Sequence, residues 1–505
     1  MARAFRRAAA VSVAALTLTG LAACAAGAPT EDEETSITLA VTSLSTNWDP
    51  FNGAWAEGLG PTSSVYDPLL DAEGGLHPRL ATEWTISDDG KTVEFTLRDD
   101  VTFVDGTHMD AEGMATYLNA LFTSEGYFDY GGVSGDYLVT FEATGEYALQ
   151  MNRAIAVKSD DGFLGMNGIV IASPATVGDP AAFEDGPVGS GPYVIDEVVT
   201  DSSVTLVRNP DYWEPERYPY DKVTFLRFDD EVAALNALKT GQVDAANLTT
   251  KNIPEAESAG LSVHAGFGNT TWLEFLDYGE LVPAFADVRV RQAMSMAFDR
   301  KAIGDSINFG YGYATSQLFP KGALEYVEGG DDRYAYDPER ARELLAEAGY
   351  PDGFDLKFRV GASWGADYRP IVQSALGDIG IRVEYEIVPD ADIVKLITED
   401  WGSGEQPIAM ATLAARGGNI GLWIPTSANN YGPDPRFKEL VDAVMYGTPE
   451  ELAPALTEMG PLLLDQVRHI PIGLAPTFYV SQPDVAVETY ETARFAFLYQ
   501  YTPVD

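Results

Sequence analysis

Apolar and polar positions alternate along Thr92–Leu97, with Val93, Phe95 and Leu97 set between Thr92, Glu94 and Thr96. A period of two predicts a strand with one buried face. The Ser87-Asp88-Asp89-Gly90 run before it is turn chemistry, with Gly90 free to take a positive φ. Asp110 then stands where an N-cap belongs, and Met114, Leu118, Leu121 and Phe122 follow at helical spacing. The 3.6 period predicts three more helices. One runs within 231–248, ends at Gly241 and gives way to a short strand. A second covers 286–303, with Asp287 as cap and Val290, Ala293, Met294, Ala297 and Phe298 as its buried stripe. In the third, over 337–350, Asp337 caps, Pro338 occupies the first turn and Gly349 ends the helix. Its Ala341, Leu344, Leu345 and Ala348 face inward. Strands and helices alternate irregularly without internal repeats, which predicts an α/β or α+β chain.

The first 35 residues break this pattern. Arg3, Arg6 and Arg7 precede an apolar run from Ala8 to Leu18, and Leu21-Ala22-Ala23-Cys24 closes the segment. This is the anatomy of an export signal, and the tetrapeptide is similar to a bacterial lipobox. Residues 1–23 are then a signal peptide, and Cys24 carries a diacylglycerol as a stable thioether. An ordinary secretory signal with an incidental cysteine is the alternative. The apolar run is shorter than the ~20 residues of a spanning helix. Cys24 is the only cysteine among 505 residues, so it has no partner for a disulfide or a thiolate metal site. Residues 24–35 read as an acidic, solvated tether. Location on the outer face of the cell membrane, held by lipid, is the expectation.

The formal charge of −45 argues against nucleic acid or anionic lipid as partners, both of which need basic patches. The chain is too long for one core, so two or three lobes are expected.

Several segments, in this order, resemble family 5 solute-binding proteins of ABC importers, the oligopeptide-, dipeptide- and nickel-binding group. They are "YDPLL" (Tyr66 to Leu70), "DDGKTVEFTLRDDVTFVDGT", "PVGSGPY" (Pro187 to Tyr193), "RNPDYW" (Arg208 to Trp213), "ALKTGQVD", "DVRVRQAMSMAFDR", "RARELLAEAGYPDGF" and "IGIRVEYEIV" (Ile379 to Val388). The resemblance implies a mixed α/β, two-lobed, periplasmic-binding-protein-like fold with the ligand cleft between lobes. Lobe I would comprise 36–75, 187–265 and 476–505, with a small subdomain inserted over 76–186, and lobe II would cover 266–475. Hinges would lie at 266–272 and 470–476. It also implies a monomer that captures a small solute, an oligopeptide or an oligosaccharide, and hands it to permease subunits. No cofactor is expected, and four scattered histidines argue against a direct histidine cage for a metal such as nickel.

One departure bears on the ligand. Peptide-binding members carry a tryptophan followed closely by an aspartate that pairs with the peptide's amino terminus. The corresponding region here is "MATLAARGGNIGLWIPTSANNYGPDPRF" (Met410 to Phe437), with no acid between Met410 and Asn430 and with Arg416 near the expected position. An arginine there favours a carboxylate or a sugar hydroxyl over an α-amino group. A shifted register, with Asp434 as the acid, is the alternative.

Enzyme signals are sparse in the sequence: none of the four histidines lies in H-E-x-x-H. A binding protein rather than an enzyme is expected. A secreted glycosidase or peptidase would reveal itself by turnover, and a non-transport lipoprotein by the lack of neighbouring permease genes. Tryptophans are the better lead. Trp55, Trp272, Trp364, Trp401 and Trp423 lie in loop-like stretches rich in Gly, Asn, Ser or Thr, such as "GNTTWLEF" and "GLWIPTSANN". Flat aromatic faces suit sugar rings and peptide side chains, with amides and hydroxyls adding directional bonds. The candidate ligand contacts are therefore Ser45, Asn47, Trp55, Asn269, Trp272, Trp364, Arg416, Asn419 and Trp423.

Overall fold

The computed structural model describes residues 35–52, 60–71, 76–124, 139–154, 156, 169–179, 181–363, 365–389, 396, 405–413, 432, 434–489 and 497–504. Strand β1 (Ser36–Val41) precedes a four-stranded antiparallel sheet of β2 (Ala81–Ile86), β3 (Thr92–Leu97), β4 (Val139–Ala143) and β5 (Ala148–Arg153), ordered β2-β3-β5-β4. Val93, Phe95 and Leu97 are buried, and the residues between them are not. The turn into β3 closes with the Gly90 amide donating to the Ser87 carbonyl, Gly90 sitting at φ +69°. Helix α1 (Ala111–Phe122) packs on β4 and β5. Its start is fixed by the Asp110 carboxylate, which accepts from the Gly113 amide at 2.7 Å.

Next come β6 (Tyr193–Val199), β7 (Ser203–Arg208), β8 (Lys222–Arg227), α2 (Glu231–Lys239), β9 (Ala245–Leu248), α3 (Ile253–Ser258) and the fourteen-residue β10 (Ser262–Phe275). Where one helix is predicted over 286–303 there are two, α4 (Val288–Met296) and α5 (Arg300–Ile307). Asp299 interrupts the pattern as a second N-cap, accepting from the Ala302 amide at 3.0 Å. Arg300 turns inward and donates to the Pro471 carbonyl at 2.8 Å, a distant bond that the local period could not foretell. The stripe itself is buried as expected. Helix α6 (Pro338–Glu347) has the predicted Asp337 cap, and Gly349 takes φ +94° behind it. Strand β11 (Phe354–Gly361), α7 (Arg369–Asp378) and β12 (Ile381–Val388) form a parallel β-α-β unit. Then follow β13 (Ile408–Leu413), α8 (Pro435–Tyr446), α9 (Pro449–Asp465) and β14 (His469–Ser481).

Eight strands make one sheet in the order β13-β10-β14-β9-β1-β8-β7-β6. Strand β1 runs parallel to β8 and β9, and the other neighbours are antiparallel. Strands β10 and β14 pair along almost their whole length, with register shifts between Gly266 and Asn269 and between Thr271 and Trp272. Such bulges bend a ladder and re-aim its side chains.

The hydrophobic cores change over at the same place. Two buried clusters draw on residues 37–256 together with 478–501, the four-stranded sheet and α1 included. Two others draw on residues 272–472. On β14, Ile470 and Ile472 belong to one side, and Phe478, Tyr479 and Val480 to the other. No helix among the described residues is long and apolar enough to cross a membrane.

Candidate ligand-binding site

The carboxyl end of β1 lies beside those of its parallel neighbours, the position where open α/β sheets usually hold ligands. The chain leaving β1 is shaped by three short turns: the Asn47 amide donates to Ser45 Oγ, the Asp49 amide to Asn47 Oδ1, and the Phe51 amide to Asp49 Oδ1. Ser45 and Asn47 are both exposed. Tyr66 pins the loop from behind, its hydroxyl donating to the Trp48 carbonyl at 2.6 Å.

The crossing strands supply the second part. The stretch around Trp272, expected to be a loop, is strand: β-branched Thr270 and Thr271 pair with β13 on one side and β14 on the other. Trp272 is 4 % exposed and packs with Leu276, Ala409 and Ala411. Yet its indole N–H is buried with no hydrogen-bond partner among the described residues, and the same holds for Asn269 Oδ1, Thr270 Oγ1 and Asn247 Oδ1. Leaving a buried polar group unpaired costs about 1–3 kcal/mol, so such atoms are retained where something else completes them. Cross-strand register places Asn247 opposite Tyr479 and Asn269 opposite Ala475, an even number of residues apart on β14, so both amides lie on one face of the sheet. Asn247 was missed in the sequence, where its only mark is a single amide within the strand "AANL".

Trp55, Trp364, Arg416, Asn419 and Trp423, with Trp401 and the lipidation candidate Cys24, lie outside the described residues. Asp434, the alternative acid, lies among the described residues. Its Oδ1 accepts from the Arg436 amide at 2.9 Å as the cap of α8, and its Oδ2 from Gln466 Nε2 at 3.0 Å.

Two buried polar groups near the crossing strands are held without a full complement of charge. The Arg300 guanidinium donates to the carbonyls of Pro471 and Tyr334 and to Ser295 Oγ, with no carboxylate among these partners, and burial pushes its pKa down to about 10. Burial, reinforced by the Arg468 charge, pushes the His469 imidazole down to about 3, so this histidine is neutral in ordinary conditions. Neither group is poised for acid–base work near neutrality.

A third buried group explains two of the sequence motifs. Asp67 of "YDPLL" accepts from Arg79 at 3.2 Å, Tyr212 Oη at 3.0 Å, Trp213 Nε1 at 3.1 Å and Ser190 Oγ at 3.2 Å. Arg79 also reaches Glu214 at 2.6 Å and lies 4.5 Å from the Trp213 ring centre. Burial alone would lower the Arg79 pKa, but the Asp67 carboxylate, with Tyr212 and Tyr218, raises it above the usual arginine value. Both charges are almost wholly buried and paired, an arrangement that ties the segment entering the four-stranded sheet to the one following β7.

The chain belongs to the bacterial extracellular solute-binding proteins, family 5: residues 75–437 match that family's model. It is 31 % identical over 338 residues to heme-binding protein A of Haemophilus influenzae, covering 59 % of this chain and 59 % of that protein. It is 27 % identical over 342 residues to the nickel-binding periplasmic protein of Escherichia coli, covering 62 % and 64 %. The matches thus span about three fifths of the length of these curated relatives. The fold is that of solved periplasmic binding proteins. A Helicobacter pylori ABC transporter-associated binding protein in complex with the peptide STSA matches with TM-score 0.73 at 20 % identity, over 93 % of this chain and 98 % of that one. NikA from Brucella suis in complex with Fe(III)-EDTA matches with TM-score 0.75 at 18 % identity, over 93 % and 100 %.

Proposed function

We propose that this protein, tethered outside the cell by a lipid on Cys24, closes two lobes on a small solute and delivers it to an ABC importer. The solute is an oligopeptide or an oligosaccharide. The observation that carries the reading is the coincidence of three features on β10 and β14: the bulges, the changeover of the cores, and buried polar atoms left without partners. Lobe I is 36–75 with 187–265 and 476–505, carrying the insert 76–186, and lobe II is 266–475. The chain crosses between them at 266–272 and 470–476. Closure follows from contacts that the solute makes with both lobes only when they meet. Relatives named for heme, nickel and di- or tripeptides show how widely the ligand varies on this framework.

Thermal melts against peptide and oligosaccharide libraries test the reading. A true ligand at 100 times its dissociation constant adds about 2.7 kcal/mol to stability, and mass spectrometry recovers it unchanged. Conversion to smaller products would overturn the binding role. Arg416 lies near the position expected for the acid of peptide-binding members, so a carboxylate or a sugar hydroxyl is its expected partner. Arg416→Ala then removes a charged hydrogen bond of about 1.5–3 kcal/mol and raises the dissociation constant roughly tenfold or more. Titration calorimetry on a variant that melts like the wild type decides it; unchanged affinity removes Arg416 from the site.

The tether has its own test. Cys24→Ala is expected to move the protein from the membrane fraction to the soluble one without a change in melting temperature. A variant that stays with the membrane while failing to incorporate labelled lipid would refute the anchor.

A further inference from the structure

Among the described residues the separation of the cores has one exception. Tyr311, between α5 and α6, is followed and preceded by residues of the second lobe, yet it packs against the cluster built by α2, α3 and β9 in the first. Its ring meets Phe478 edge-on at 5.1 Å and 74°. Its hydroxyl donates to Glu257 Oε2 on α3 at 3.2 Å.

The segment carrying it is fixed to β14 right where the lobes join. Buried Asn308 donates from Nδ2 to the Leu474 carbonyl at 2.8 Å. At Gly312 a Cβ would come within 2.4 Å of that same carbonyl oxygen, so only glycine lets the chain pass so close. Between these two anchors Phe309 (φ +50°) and Gly310 (φ +81°) both take left-handed conformations. A bulky residue in that region is held there by its surroundings. The double turn swings Tyr311 away from its own lobe and onto the other. Burial, with Glu257 beside it, raises the Tyr311 pKa, so the hydroxyl stays protonated and able to donate.

We propose that Tyr311 is a latch between the lobes, set beside the crossing strands, that biases the ligand-free protein toward the arrangement seen here. It rests on the two-lobe reading above and adds a residue that tunes the resting equilibrium without touching the solute. An apparent affinity scales with the fraction of protein already competent to bind, so a latch of this kind sets affinity from outside the site.

Double electron–electron resonance between spin labels at Ser202→Cys and Ala346→Cys, in a Cys24→Ser background and with no solute added, measures the lobe separation directly. Both label sites are exposed, one in each lobe. Tyr311→Ala is expected to change the ratio of populated separations by about three- to tenfold, the effect of losing an edge-on aromatic contact. Tyr311→Phe, which keeps the ring, stays closer to the wild-type distribution. Should Tyr311→Ala fail to fold, Tyr311→Leu carries the same expectation, since it removes both the ring and the hydroxyl. A folded Ala or Leu variant with the wild-type distribution overturns the latch. Because no solute is present, that result would leave the solute-binding reading to stand or fall on the melts.

Discussion

Asp67→Ala is expected to destabilise the protein by about 3–5 kcal/mol, the cost of stranding a buried charge. The substitution takes the acceptor from Arg79, Tyr212, Trp213 and Ser190 together, and leaves Arg79 with the neutral Tyr212 hydroxyl and with Glu214, which is about a third exposed. Urea titration of the ligand-free protein measures the loss. Asp67→Asn, which keeps an acceptor but not the charge, should fall between. The double variant Asp67→Leu with Arg79→Met should cost less than Asp67→Ala, because two apolar groups of similar size demand no hydrogen bonds. A loss under about 1 kcal/mol for Asp67→Ala would mean that water reaches Arg79 and replaces the carboxylate.

Gly191→Ala should be almost as damaging, at about 3 kcal/mol, the upper end for forcing an added methyl into a filled space. A Cβ there would lie 2.4 Å from the Val65 carbonyl carbon and 2.7 Å from the Tyr66 amide nitrogen. These are backbone atoms, and no rotamer change can move them aside. The Gly191 amide also donates to the Val65 carbonyl at 3.1 Å, so separating the two segments breaks that bond as well. Gly60→Ala is the control: a Cβ at Gly60 meets nothing within 4 Å, and its melting temperature should match the wild type. Equal melting temperatures for Gly191→Ala and Gly60→Ala would show that the Val65 segment can shift at little cost.

What the sequence made legible was local. Asp110, Asp287 and Asp337 were readable as caps because a cap needs only the next three residues, and each side chain does accept from a nearby backbone amide. The break at Asp299 was not, because it is held open by Arg300 reaching a carbonyl 171 residues away. Sheet order was closed to this kind of reading for the same reason. Nothing within Ser36–Val41 says that its neighbours are Lys222–Arg227 and Ala245–Leu248. The family motifs did announce the fold, but the reason for "YDPLL" and "RNPDYW" appears only when Asp67 meets Tyr212 and Trp213 in space. Within the candidate site, Asn269 stood out in a stretch of Gly, Asn and Thr. Asn247 did not, since one amide in a short strand becomes informative only once its oxygen is seen to lack a partner.

The placement of β14 governs the order in which the chain can finish folding. As the polypeptide emerges from its N-terminus, β1 waits for β8, and β9 then stands as an unpaired edge until Phe478–Ser481 arrives. The whole of residues 266–475 must be made before the sheet of the first half is sealed. A nascent or truncated chain ending before β14 therefore presents the bare edge of β9 and a core without Phe478, Tyr479 and Tyr501. Phe478–Ser481 thus acts as the clasp of the first half: until it arrives, the sheet is unsealed and the core incomplete.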